Sequence, residues 1–133
     1  MSLTRAQIQE QINQLTTTKT GYEVNHRKYS DARGYANKLA TDLKNAKASA
    51  KSSIDYAIQY FAIDGKIVDG GKLEQLFNNI NSAETKLNNT ILPAINSQLS
   101  DLGAKIYQVE SQINQLKRQL QQCSDSVAIS HSN

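Results

Sequence analysis

The chain has 133 residues, 15 Lys plus Arg against 12 Asp plus Glu, and a composition that is 38% hydrophobic but only 6% aromatic. One domain is the default at this length, and so little aromatic material does not build a round core; it suits a narrow seam between helices, where two apolar residues per heptad suffice. A net charge of +3 does not mark a dedicated nucleic-acid binder, the single Cys cannot form an intrachain disulfide, and no apolar run approaches the roughly 18 residues of a membrane span.

In chain order, "MSLTRAQIQEQ" is polar and lacks the apolar stretch of a secretory signal peptide. A cytoplasmic location is therefore expected, or export by a route that needs no such peptide. Thr4 followed by Gln7 reads as a capping box opening the first helix. Ile8, Ile12, Leu15, Tyr22, His26 and Tyr29 follow at helical steps, with Lys19 in the gap. The β-branched run "TTTKTG" around Lys19 predicts fraying or a kink. Next come Ala36, Leu39, Ala40, Leu43, Ala46 and Ala50. Alanines let two backbones approach but bury little area, so this stretch is expected to hold its partner weakly or admit a third helix. Ile54, Ala57, Ile58 and Phe61 then widen the apolar face.

The segment "IDGKIVDGG" carries turn chemistry, with Gly65, Gly70 and Gly71 available for positive φ and a helix C-cap. A second helix restarts near Gly71 or Lys72 through Leu73, Leu76, Phe77, Ile80, Ala83 and Leu87. Ile91, Ile95 and Leu99 follow at steps of four, four and four, read as a stutter, with Pro93 inside it. The heptad resumes at Leu102, Ile106, Val109, Ile113, Leu116 and Leu120.

The glycine pair splits two apolar stripes of similar length. The expected fold class is all-α: a long antiparallel two-helix hairpin of coiled-coil type over 1–122, with a helix over about 4–63, a turn over about 64–71, a helix over about 72–122 kinked near Pro93, and a disordered tail over 123–133. Folding there sets Leu15 near Leu120, Tyr22 near Ile113, Tyr29 near Ile106 and Phe61 near Leu73. Ile54, Ile58, Phe61, Phe77 and Ile80, with Tyr56, make a broader apolar patch than one seam needs. It predicts pairing into a four-helix bundle, as a homodimer or a heterodimer with a partner helix.

No enzyme constellation is present, and no catalytic, cofactor or metal site is expected. His26 lies on the apolar stripe without ligand-spaced partners, Cys123 has no adjacent base, and "DGGK" lacks the residues of a phosphate loop. Lys44, Lys47 and Lys51 share one helix face in a basic stretch from Arg27 to Lys51, expected to be a solvated face rather than a nucleic-acid or lipid contact. Tyr60 and Asp64 form a Tyr-x-x-x-Asp match beside the turn.

A hairpin with this layout resembles the small WXG-type proteins of Gram-positive type VII secretion, in particular the small helical partners encoded beside LXG toxins. The resemblance rests on a polar first helix, the turn elements Ile63-Asp64-Gly65 or Val68-Asp69-Gly70, and the second helix "LNNTILPAINSQLSDLGAKIYQVESQINQLKRQLQQ". The tryptophan of Trp-x-Gly is absent, and the Tyr-x-x-x-Asp match closes the first helix, whereas the family's signal usually follows the second. The resemblance implies a non-enzymatic binding protein that pairs with a toxin's helical N-terminal domain or with another hairpin. Ile54, Ile58, Phe61, Phe77 and Ile80 would then be partner-binding, Tyr60 and Asp64 an export motif, and Phe77→Asp is expected to abolish association while leaving much helicity. The alternatives are a self-associating structural coiled coil, such as a tether, spacer or phage-type assembly component, and a prefoldin-like arm, which would need strands between the helices that the sequence does not show.

Overall fold

The structure is a computed structural model that describes the backbone of residues 3–63, 66–67 and 71–132 and the side chains of residues 3–61 and 71–123. Its described elements are almost wholly helical, and the two arms form a hairpin-like arrangement.

Helix α1 runs Arg5–Phe61, 57 residues. The capping box opens it: the Gln7 amide donates to Thr4 Oγ1 at 3.1 Å, and the Thr4 amide donates to Gln7 Oε1 at 2.9 Å. Two N–H groups that a helix start leaves orphaned are thereby satisfied. The threonine-rich stretch neither frays nor breaks. The hydroxyls of Thr16, Thr17, Thr18 and Thr20 donate to carbonyls one turn back, at 2.7 to 3.1 Å. Groups that would compete with the backbone are absorbed within the helix.

After α1, Ala62–Ile63 (β1) pairs antiparallel with Lys66–Ile67 (β2), with Ala62 opposite Ile67 and Ile63 opposite Lys66. These strands are shorter than usual, but they correct the expectation of a turn without strands. Asp64, Gly65 and Gly70 lie outside the described residues. Gly71 has φ 78, in the left-handed region that disfavours a Cβ, and it is the N-cap of α2, Lys72–Lys86. It therefore serves the entry to the second arm rather than the C-cap of the first.

Leu87–Ile91 forms a π turn, and α3, Leu92–Ser132, follows. The Leu92 amide donates to the Leu87 carbonyl, closing the wider ring of this turn. Steps of four, four and four carry one residue more than a heptad phase allows, and the wider turn absorbs it. This corrects the stutter: half-buried Leu92 takes the seam position while Ile91 turns outward. Pro93, which has no N–H to donate, follows directly and removes a competing α-type bond. Helix α3 continues past residue 123, where the sequence reading places disorder. No Pro or Gly occurs after Gly103 to stop it.

The chain divides into two compact units, Met1–Ser30 with Gln98–Asn133, and Asp31–Ser97. In the first, buried Ile8, Ile12, Val109 and Ile113 form a cluster against which Leu15, Tyr22, Leu116, Leu120 and Cys123 pack; Leu99 and Leu102 are buried too. Lys19 Nζ lies 3.1 Å from Glu110 Oε1, and Lys105 Nζ lies 5.7 Å from the Tyr22 ring centroid. Lys19–Glu110 and Tyr22–Lys105 are thus contacts across this seam, and Leu15, Tyr22, Ile113 and Leu120, paired in the sequence reading, all belong to this one core. The seam lysine meets its carboxylate there, which the apolar stripes alone did not reveal.

The second unit is thinner. Among its described residues the buried side chains are Ala36, Ala50, Ala57 and Leu87, and α2 buries none fully. Leu43, Lys47 and Ile54 are half-buried, whereas Leu39, Ala46 and Leu76, placed on the seam by the sequence reading, are exposed. Lys47 rather than Ala46 occupies the seam. Its aliphatic stem covers apolar surface while Nζ reaches Glu84 Oε1 at 3.3 Å.

Candidate functional site

The unit Asp31–Ser97 holds every described residue of the surface expected to bind a partner. Each seam alanine forgoes about 2 kcal/mol of apolar burial relative to leucine, so α1 here is held closely but weakly. The predicted patch is divided by the fold. Ile54, Phe77 and Ile80 are half-buried within the hairpin itself. The Lys47 ammonium sits 6.0 Å from the Phe77 ring centroid. A charge at Phe77 therefore acts on the hairpin as well as on any partner.

Ile58 and Phe61 face outward, 43% and 65% exposed. Ile58 continues the helical row of Lys51 and Ile54. Phe61 joins a ring cluster with Tyr56 and Tyr60, themselves 58% and 60% exposed. The Tyr56 and Tyr60 centroids are 4.6 Å apart and tilted by 44°; Tyr56 and Phe61 are 6.0 Å apart and tilted by 53°. Three clustered aromatic side chains left in water within the last two turns of α1 are not used by the seam. The sequence reading put Tyr56 and Phe61 in one patch with Phe77. Tyr60 was singled out only as an export motif, and its one-turn spacing from Tyr56 was the available signal for this cluster. Tyr60 is accessible; Asp64 is outside the described residues.

The three lysines border a groove of about 760 Å³, Lys44 and Lys51 exposed to solvent and Lys47 half-buried. On the α1 side lie Lys44, Ala48, Lys51 and Ile54, and on the other Phe77, Glu84 and Asn88, with Lys47 crossing to Glu84. No open pocket was expected there from the sequence, although the alanine-rich stretch signalled room for a third helix.

His26 is half-buried on the seam and Cys123 packs at the edge of the first unit's core. Among the described residues, no group of three or more His, Cys, Asp or Glu could hold a metal ion, and no helix is long and apolar enough to cross a membrane. What the arrangement offers chemically is contact area: clustered aromatic rings, and an apolar groove edged with ammonium groups. No protein-family model, curated protein or solved structure matches this chain.

Proposed function

We propose that this protein is a non-enzymatic helical binding protein, acting as an accessory partner in a type VII secretion system by pairing with a toxin's helical N-terminal domain or with another hairpin in a shared four-helix bundle. The observation that carries the binding role is the exposed Tyr56–Tyr60–Phe61 cluster. Aromatic side chains give large contact area for little lost freedom and dominate interface hot spots. Ile58 extends the apolar surface beside it, and the alanine seam leaves this unit short of burial that a partner helix would supply. The link to secretion rests on the hairpin layout and the turn elements described above.

Size exclusion with light scattering, on the wild type and on a Tyr56→Asp/Phe61→Asp variant, tests this reading, with circular dichroism as the folding control. Both side chains are exposed, so the variant is expected to keep its helicity. A wild-type dimer that becomes monomeric in the variant assigns the cluster to self-association. A wild-type monomer that binds the helical domain of a toxin encoded beside its gene, and loses it in the variant, assigns the cluster to that partner. An oligomer or complex untouched by both substitutions overturns the assignment.

A further inference from the structure

The groove bordered by Lys44, Lys51, Ile54 and Phe77 has a chemistry of its own. From Lys44 to Ile54, and from Phe77 to Asn88, each wall covers about three helical turns, on the order of 15 Å. Ala48, on the α1 wall, presents no side chain large enough to fill the space, and Lys47 crosses it. Its carboxylate, Glu84, is engaged by Lys47 at 3.3 Å. Lys44 and Lys51 have no ion-pair partner among the described residues. The groove is thus largely apolar, crossed by the Lys47–Glu84 pair, cationic along one edge and as long as a short helix.

We propose that this groove seats an acidic amphipathic helix from a different protein, its apolar ridge on Ile54 and Phe77 and its carboxylates on Lys44 and Lys51. This deepens the binding role proposed above by naming the partner's chemistry and its seat. A second copy of this chain is the poorer occupant, because it brings 15 basic residues against 12 acidic ones to an edge that is already cationic. A helix is a better match than a lipid surface because both walls run along helices for a similar length, which the apolar ridge of one short helix can follow.

The test uses the full chain and two stapled helical peptides with the same leucine ridge, one flanked by Glu and the other by Lys. Fluorescence anisotropy is expected to show the Glu peptide binding at least about tenfold tighter at low salt, with the difference shrinking as salt rises. The Lys44→Glu/Lys51→Glu variant is expected to reverse that order without loss of helicity; Lys44→Gln/Lys51→Gln, a gentler change, is expected to abolish the preference. Equal binding of both peptides, binding of neither, or a preference that survives charge reversal overturns the proposal. So does co-sedimentation with phosphatidylglycerol vesicles that depends on the two lysines while the peptides show no preference. If the groove fails while the Tyr56→Asp/Phe61→Asp variant still loses association, the seat is wrong and the binding role stands. If both fail, the binding role falls with it.

Discussion

Gly71 shows what one residue contributes where the backbone demands it. Its φ of 78 places it where an L side chain is strained, although nothing lies within 4 Å of an added Cβ. Gly71→Ala is therefore expected to destabilise by about 1 kcal/mol through backbone strain alone. Gly21 and Gly34 are the converse. Both lie inside α1, and a Cβ at either meets nothing within 4 Å. Gly21→Ala and Gly34→Ala are each expected to stabilise by up to about 1 kcal/mol. Urea unfolding followed by circular dichroism reads all three, and a stabilising Gly71→Ala would contradict the entry geometry. At this scale the capping box was fully legible, because Thr4 and Gln7 satisfy each other locally. Lys47 was not. An alanine-rich stretch has almost no apolar contrast, so Ala46 looked as suitable for the seam as its lysine neighbour. The structure turns Lys47 inward with Ala36, Leu43, Ala50 and Ile54 and sets Glu84 across the seam from it.

At the scale of elements, the second arm is set by the phase of its apolar residues. Leu87, Ile91, Ile95 and Leu99 already show one residue too many, and the structure shows how it is accommodated, by a π turn over Leu87–Ile91. If the surplus residue is the cause and Pro93 only the companion, the two can be separated. Deleting Asn89 is expected to restore a continuous α-helix with Ile91 gone from the exposed set, whereas Pro93→Ala is expected to keep the wide turn. Carbon chemical shifts and amide exchange across residues 87–92 distinguish the two. A regular helix in Pro93→Ala would make the proline the cause instead. The threonine run in α1 teaches the complementary lesson. Propensity marked it as weak, yet its hydroxyls bond one turn back while Leu15, Lys19 and Tyr22 hold its other face. Packing overrides propensity where a seam is available.

At the scale of the whole molecule, the two units differ in what their described residues bury: branched aliphatic side chains in one, alanines and a single leucine in the other. Local opening follows that difference. Seam amides between Ala36 and Ala57 are expected to exchange at least about tenfold faster than those between Ile8 and Tyr22, a ratio worth 1.4 kcal/mol, and a bound partner helix is expected to narrow the gap. Native-state hydrogen exchange tests this, and uniform protection along α1 would contradict it. The two long helical arms, the capped start of the first and the irregular phase before Pro93 were determined by the sequence alone, because each depends on residues within a turn or two of one another. The register, the splitting of the predicted patch, the aromatic cluster and the lysine-edged groove were decided only by the tertiary structure. They depend on which residue of one helix meets which residue of the other, and cross-seam pairs such as Lys19–Glu110 and Lys47–Glu84 join residues at distances along the chain that periodicity does not record.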